Sequence, residues 1–209
     1  MGRVIPVPGI SNQAFLNRHA RPGCIGLAGG SLPIDRAIRK AQRLVRDDHR
    51  PSDWSHAFLF TGKRLDGRHW VLESDLDLKR KTLRLGVQEN RADQYHDAGK
   101  YPVLGVMDLG LDAEQARKVL TEGLELLSQR TMYSLRELAG TLLAMKKPGM
   151  RARENPLARK NSLYCSAFVR HCFRAAGLDL TPGLSEKNTT PEDLTATPLP
   201  HTLWVCRQG

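Results

Sequence analysis

A cysteine stands at the start of the best-defined amphipathic helix that this sequence predicts. Small or apolar residues recur at positions 165, 168, 169, 172, 173 and 176, which is the 3.6-residue period of an α-helix. Ser162 is the predicted N-cap, and Gly177 is the predicted stop. Cys165 then lies in the first turn, where free backbone N–H groups and the helix dipole stabilise a thiolate. Because a cysteine on an apolar helix face is also an ordinary core residue, the helix alone leaves nucleophile and core packing open.

The composition is that of one soluble globular domain. The chain has 209 residues, of which 40% are hydrophobic and 26% charged, and we expect a single domain over 1–209. We expect no transmembrane segment, since no apolar run approaches the roughly 20 residues that span a bilayer. The first 17 residues lack the apolar core of a signal peptide, so we expect a cytoplasmic location in the producing cell. A reducing compartment and no disulfide are also expected from the scattered cysteines, Cys24, Cys165, Cys172 and Cys206.

The net charge favours an anionic partner. Lys and Arg number 32 against 22 Asp and Glu, which gives a net charge of +10. Nucleic acid, anionic lipid and acidic cell-wall polymers would all be attracted, while a solvated charged surface is the simpler interpretation. No zinc-finger, helix-turn-helix or RNA-binding signature accompanies the charge, so no specific nucleic-acid partner is expected. Six Lys or Arg residues fall in the segment 146–160, whose prolines and glycine predict a basic loop inserted into the domain.

Hydrophobic periodicity and capping residues predict the remaining elements. Strands are predicted at 24–27, 103–109 and 202–206. Helices are predicted at 33–45, with Ile34 and Ile38 on the apolar face, at 113–130 after the N-cap Asp112, at 135–145, and for one turn after Thr190.

Two strand-like runs, 55–61 and 68–74, flank a turn-rich segment and predict a β-hairpin. If the hairpin is symmetric about the six-residue loop 62–67, the facing pairs are Thr61 with Arg68, Leu59 with Trp70 and His56 with Glu73. Facing residues of antiparallel strands have Cβ atoms roughly 4.5–5.5 Å apart on the same face. The register therefore places an imidazole beside a carboxylate, whereas a slip of one residue would separate them.

These residues suit nucleophilic catalysis by a thiol. A cysteine nucleophile needs a base, and the base works best when a third group fixes its tautomer. Of the seven histidines, His56 alone combines a strand with a predicted acidic neighbour. His171 lies about 120° around the helix from Cys165 and does not reach the thiol.

Two other kinds of site are weaker alternatives. A zinc site would draw on Cys165, Cys172, His171, His201 and Cys206, but zinc ligands usually occur in close pairs such as C-x2-C. A serine hydrolase is disfavoured because no G-x-S-x-G elbow is present. We therefore expect neither a metal nor an organic cofactor.

The order of these motifs resembles the permuted members of the NlpC-type papain-like cysteine hydrolases. These are often called YiiX-like and are related in layout to lecithin retinol acyltransferase. The matching segments are Trp54-Ser55-His56, Leu72-Glu73-Ser74 and Tyr164-Cys165-Ser166, followed by a T-P-x-D-L-like stretch at 190–194. The resemblance covers roughly residues 22–206.

The resemblance implies a circularly permuted papain-like α+β fold, with the cysteine helix packed against an antiparallel sheet. It implies a catalytic triad in which Cys165 attacks an acyl carbonyl, His56 moves the proton and Glu73 orients His56, and we expect Tyr164 to assist substrate binding. The expected activity is amide hydrolysis, with peptidoglycan peptides as substrates.

A cytoplasmic protein of this kind would reach a cell wall as a delivered antibacterial effector, and its producer would need an immunity protein. A lipid acyl hydrolase or acyltransferase using the same triad, and a non-catalytic binding module, are the alternatives.

Overall fold

A single mixed sheet organises the part of the chain that the structure describes. The structure is a computed structural model and describes residues 2–77, 84–132, 135–146, 149–153, 157 and 162–208. The strands are β1 (Arg3–Pro6), β2 (Ile25–Gly29), β3 (His56–Lys63), β4 (His69–Asp77), β5 (Arg84–Arg91), β6 (Val103–Asp108) and β7 (Thr202–Arg207). They form a seven-stranded sheet in the order β1-β7-β6-β2-β3-β4-β5. β1 runs parallel to β7, and the other neighbouring pairs are antiparallel.

Six α-helices accompany the sheet in the described ranges. They are α1 (Asn12–His19), α2 (Pro33–Ala41), α3 (Ala113–Ser128), α4 (Leu135–Ala144), α5 (Cys165–Ala175) and α6 (Pro191–Thr195). Three short 3-10 helices lie at Gln42–Val45, Ala92–His96 and Glu186–Asn188. None of the described helices has both the length and the apolar character needed to cross a bilayer.

The alternation of side chains along β3 divides the core into two layers. Ala57 and Leu59 belong to the cluster that contains the apolar residues of α3 and α5. Phe58 and Phe60 belong to the other cluster, with Phe15 of α1 and residues of the 3-10 helix Ala92–His96. The helix that begins at Cys165 therefore packs against the sheet, as predicted.

The start of α5 differs from the prediction, although its end agrees. Gly177 has a φ of 78°, the left-handed conformation that commonly ends a helix. The N-cap is Tyr164 and not Ser162, because the preceding segment is held extended by a bridge between Met132 and Ser162. As a result, Cys165 is the first residue of the helix.

Most other predicted elements are confirmed with small changes in their bounds. β2, β6, β7, α3, α4 and α6 all occur where expected, and Asp112 and Thr190 accept hydrogen bonds from the first turns that they cap. Of the elements that the sequence did not predict, β1 has only four residues, and α1 and β5 are rich in polar residues and show no clear apolar period. Most of the predicted basic loop at 146–160 lies outside the described residues.

The helix predicted at 33–45 forms as α2, which ends at Ala41, and the 3-10 helix Gln42–Val45 follows it. No residue of α2 is buried, and Ile34 is 53% exposed. Polar contacts attach this region to the body instead: Arg39 Nε donates to the Ser52 carbonyl at 2.9 Å, and Gln42 Nε2 donates to the Trp54 carbonyl at 2.6 Å. The helix therefore lies on the surface, with Ile34 exposed and Ile38 and Ala41 partly buried.

Gly26 of β2 provides the space in which Phe58 lies. A Cβ at position 26 would fall 2.0 Å from the Phe58 ring, and that ring stacks on Tyr95 at a centroid distance of 4.3 Å. We expect Gly26→Ala to destabilise the protein by about 1–3 kcal/mol in urea denaturation, because the ring has no room to yield. Gly99→Ala, at a position with no severe contact, is the matched control. Equal stability of the two variants would contradict this packing.

Candidate active site

The β3–β4 hairpin forms, but its register differs from the predicted one. Leu59 pairs with Leu72 and not with Trp70, which pairs with Gly62 beyond a bulge at Thr61. The register shifts for two reasons. The turn lies farther along the chain than predicted, between the paired residues Lys63 and His69, and β3 contains one extra residue at the bulge. The net shift at Leu59 is two residues, and a two-residue shift keeps every side chain on the same face of the sheet.

His56 and Glu73 are in direct contact despite that shift. Continuing the observed register places Asp75 opposite His56 and leaves Glu73 as its diagonal neighbour, which is still within reach of a long side chain. His56 Nε2 lies 2.8 Å from Glu73 Oε2. The Glu73 side chain is fully buried, whereas that of His56 is 13% exposed.

The Glu73 carboxylate is surrounded by donors. Oε1 accepts from Asn90 Nδ2 at 2.8 Å and from Gln94 Nε2 at 2.7 Å. Oε2 accepts from the Tyr95 hydroxyl at 2.5 Å in addition to its contact with His56. These four contacts fill the acceptor positions of a carboxylate and fix its orientation.

This arrangement keeps Glu73 ionised in the core. Burial disfavours the carboxylate, but the hydrogen bonds from His56, Tyr95 and Asn90 outweigh that cost and lower the pKa of Glu73. The Tyr95 ring is itself held by its stack on Phe58, in which the two planes differ by 10°.

Cys165 and His56 meet at the ends of their elements. Cys165 is the first residue of α5, and His56 is the first residue of β3. The Cys165 thiol lies near enough to His56 to raise the pKa of the imidazole. Because Nε2 of His56 is occupied by Glu73, Nδ1 is the ring nitrogen left for the thiol. The three side chains thus form a chain from sulfur through imidazole to carboxylate.

Three serines of the sequence motifs brace this chain of contacts. Ser55 Oγ donates to the Ala28 carbonyl at 3.2 Å, which fixes the start of β3 to β2. Ser74 Oγ donates to the Leu163 carbonyl at 2.5 Å and so ties β4 to the segment just before the cysteine. Ser166 Oγ donates to the Thr189 carbonyl at 2.7 Å. All three side chains are buried, so each motif contributes a buried hydrogen bond that holds its own segment in place.

Tyr164 lies inside the protein. Its side chain is 1% exposed, its hydroxyl donates to the Thr189 carbonyl at 2.8 Å, and it accepts from Thr141 Oγ1 at 3.0 Å. This placement gives Tyr164 a role in holding the start of α5, and we do not assign it a contact with substrate.

The charge of the site favours a protonated His56. Burial of the ring disfavours the imidazolium. The negative charge of Asp75 and the hydrogen bonds to Cys165 and Glu73 outweigh that cost and raise the pKa of His56 well above its ordinary value.

The two shifts set the pH range in which the pair stabilises the fold. The stabilisation of the fold by His56 is fully present below the ordinary imidazole pKa and is lost as pH rises through the raised pKa of the folded protein. The stabilisation of the fold by Glu73 is present above the ordinary carboxyl pKa and is lost as pH falls through the lowered pKa of the folded protein. The ion pair is therefore complete between those two folded-state pKa values.

Sequence reasoning missed four polar residues around the triad. Asp75 could have been found, because it follows Glu73 by two positions and therefore shares its face of the strand. Asn90, Gln94 and Tyr95 arrive from β5 and the following 3-10 helix, and no local pattern in the sequence links them to Glu73.

The same site contains a group of potential metal ligands. His56, Glu73 and Asp75 each offer one ligand atom, and these atoms lie within 4.8 Å of one another. As arranged, the group does not suit a cation, because the N–H and O–H donors on both Glu73 oxygens would have to be displaced.

Comparison with known proteins identifies a structural relative. No family model matches this chain, and no curated protein matches it significantly. One similar solved structure is the metalloprotein yiiX from Escherichia coli O157:H7, assigned to DUF1105. The alignment has a TM-score of 0.57 and 14% sequence identity, and it covers 91% of this chain and 98% of that chain. The likeness shows a shared fold, so the predicted YiiX-like α+β architecture is confirmed at that level.

We expect the charges of Glu73 and Asp75 to control the protonation of His56. Glu73→Gln and Asp75→Asn should each lower the pKa of His56, because each removes a negative charge that stabilises the imidazolium in a buried site. NMR titration of the imidazole resonances measures this pKa directly. Glu89→Gln removes a charge from the neighbouring strand β5 and should leave His56 unchanged. An unaltered His56 titration in both test variants would refute the assignment.

Proposed function

We propose that this protein is a cysteine hydrolase of the permuted papain-like, NlpC-type architecture. The observation that carries the proposal is the placement of Cys165 of α5 near His56 of β3, whose Nε2 lies 2.8 Å from Oε2 of Glu73 on β4. In this arrangement Cys165 is the nucleophile, His56 is the acid–base group and Glu73 fixes the His56 tautomer. The YiiX-like fold and the order of the three motifs support the same reading.

The proposed reaction is acyl transfer through a thioester. His56 holds the proton of the Cys165 thiol as an imidazolium, and the thiolate attacks the substrate carbonyl carbon. Free N–H groups at the start of α5, including that of Cys165, stabilise the negative oxygen of the tetrahedral intermediate. Collapse breaks the C–N bond, and the leaving amine takes the proton from His56. Water then attacks the thioester with His56 as base, releasing a carboxylic acid and restoring the thiol.

The other three thiols provide internal controls for nucleophile chemistry. Burial, with a smaller contribution from the charge of Asp108, raises the pKa of Cys24 to about 12. Burial likewise raises the pKa values of Cys172 and Cys206. These thiols are poor nucleophiles at neutral pH, because the thiolate is the reactive form.

We therefore expect an alkylating probe at neutral pH to modify Cys165 selectively. Peptide mass spectrometry should find the label at position 165 before positions 24, 172 and 206. His56→Ala should slow labelling at least tenfold, since it removes the group that takes the thiol proton. Asp66→Asn, on the hairpin turn, is the matched control. Slow and equal labelling of wild type and His56→Ala would leave a non-catalytic binding module as the better description.

We propose peptidoglycan peptides as the substrate class. An amide bond suits the thioester chemistry, and a net charge of +10 suits an anionic cell-wall polymer. The protein would then be an effector delivered from the cytoplasm of its producer into a rival cell, with an immunity protein as a partner of the producer.

The comparison structure raises the question of a metal at this site. That neighbour is described as a metalloprotein, and a bound cation would supply Lewis-acid chemistry at the carbonyl. The donors that fill both oxygens of Glu73 do not leave room for such a ligand set as the residues stand. We derive no step of the reaction through a metal.

Digestion assays should distinguish the candidate activities. We expect wild type to release amines from peptidoglycan or model peptides, and Cys165→Ala to lose at least 1000-fold in rate because it removes the nucleophile. Cys172→Ala is the matched control, since that thiol lies on the same helix but is fully buried. A chelator should leave the rate unchanged. Turnover of phospholipids without peptide cleavage would replace the amidase with a lipid acyl hydrolase.

A further inference from the structure

Residues 189–193, which overlap the T-P-x-D-L-like stretch, form a segment with little freedom to change shape. Thr190 Oγ1 accepts from the Asp193 backbone N–H at 3.2 Å, and Asp193 Oδ2 accepts from the Thr190 backbone N–H at 2.7 Å. Pro191 is the first residue of α6, where its fixed φ suits a helix start. Thr189 and Thr190 are both buried. We call residues 189–193 the bridging segment.

The first residue of the bridging segment holds the start of α5. The Thr189 carbonyl accepts from the Tyr164 hydroxyl at 2.8 Å and from Ser166 Oγ at 2.7 Å. These two donors are the residues immediately before and after Cys165. Farther along α5, Arg170 Nη1 donates to Thr189 Oγ1 at 3.0 Å. The position of Cys165 is therefore tied to Thr189.

Glu192, three residues later, holds the chain that leads into His56. Glu192 Oε2 accepts from Ser52 Oγ at 2.6 Å, and Ser52 Oγ accepts from the Trp54 backbone N–H at 3.0 Å. The Glu192 backbone N–H donates to Gln42 Oε1 at 2.9 Å, and Gln42 Nε2 donates to the Trp54 carbonyl at 2.6 Å. Both backbone groups of Trp54, two residues before His56, are thus bonded to side chains that contact Glu192.

These hydrogen bonds are shielded from water. Ser52 and Gln42 are buried, and the Glu192 side chain is 12% exposed. Breaking such a bond is costly, because it leaves a buried polar group without a partner. The apolar packing of α5 on the sheet is non-directional, whereas hydrogen bonds depend on direction as well as distance. The bonds of the bridging segment therefore fix where the two attached chain ends lie relative to each other.

We propose that the bridging segment aligns the Cys165 thiol with the His56 imidazole, and that Glu192 and Gln42 are positioning residues at its His56 end. The inference rests on the proposed function, because it concerns the pair of groups that would carry out the reaction. Glu192 and Gln42 act through Trp54, so they change the alignment of the pair and not its chemistry. A misplacement of about 1 Å at reacting groups can lower a rate by about 100-fold.

Alkylation of Cys165 at neutral pH and NMR titration of His56 test this alignment. We expect Glu192→Ala to slow alkylation about tenfold, because the Ser52 hydroxyl loses its acceptor and the chain before His56 is released. The same variant should lower the pKa of His56, since a thiol farther from the ring raises that pKa less. Gln42→Leu removes the other connection and should have the same two effects.

Two further variants separate alignment from loss of charge. Glu192→Gln removes the charge but keeps an oxygen that accepts from Ser52, so it should recover alkylation to within about threefold of wild type. Asp53→Asn, beside Trp54, weakens a 2.6 Å contact with Arg207 and should leave both readouts unchanged. An equal loss in Glu192→Ala and Glu192→Gln would assign the effect to charge and overturn the proposal.

A double-mutant cycle separates alignment from loss of stability. In a Cys165→Ala background the thiol is absent, so Glu192→Ala should cause no further fall in the pKa of His56. A further fall there would contradict the proposal. Circular dichroism confirms that each variant is folded, and Ser52→Ala, which removes only a hydroxyl, replaces any variant that is not.

The cycle also distinguishes this inference from the proposed function. If Cys165→Ala lowers the pKa of His56 but folded Glu192→Ala and Gln42→Leu match wild type in both readouts, the thiol and imidazole interact without the bridging segment and only this inference fails. If Cys165→Ala leaves the His56 titration unchanged, the two groups do not interact, and the proposed function fails together with it.

Discussion

The candidate site depends on a carboxylate that stays ionised inside the protein core. A buried charge is tolerated only when hydrogen bonds replace the water it has lost. Glu73 satisfies that requirement with four donors from β3, β5 and the 3-10 helix Ala92–His96. The sheet order follows the same need, because β4 lies between the strand that carries the imidazole and the strand that carries one of the amide donors.

Cys165 and His56 lie at the ends of their elements, and buried serines fix the segments around them. A side chain at the first position of a helix or strand has backbone groups beside it that no partner in the same element satisfies. Cys165 is 6% exposed and the His56 side chain is 13% exposed, so both groups keep a small accessible surface while the rest of each element is packed. The hydroxyl of Ser74 matters most here, because its bond to the Leu163 carbonyl couples the strand of the carboxylate to the helix of the thiol.

The sequence was most informative where local periodicity and capping decide the structure. The helix of Cys165, its stop at Gly177 and the caps Asp112 and Thr190 all follow from short-range patterns. The contact between His56 and Glu73 was predicted from a register that was wrong by two residues. The two side chains still meet because residues two apart on a strand lie on the same face of the sheet.

Contacts between distant segments were beyond the reach of sequence patterns. Tyr95 and Asn90 reach Glu73 only because β5 and its following turn fold beside β4, and the pattern of β5 is too polar to predict a strand. The surface position of α2 could not be predicted for a related reason, since an amphipathic pattern shows that a helix has an apolar side but not what covers it.

The hydroxyl of Tyr95 has a consequence for behaviour in alkali. Burial, reinforced by the charge of Glu73, raises the pKa of Tyr95 well above its ordinary value. The phenol therefore remains a donor in basic solutions that would ionise an exposed tyrosine. Alkaline inactivation would then begin with the imidazole giving up its proton while the shell around the carboxylate stays whole, and returning the solution to neutrality would restore the site without refolding.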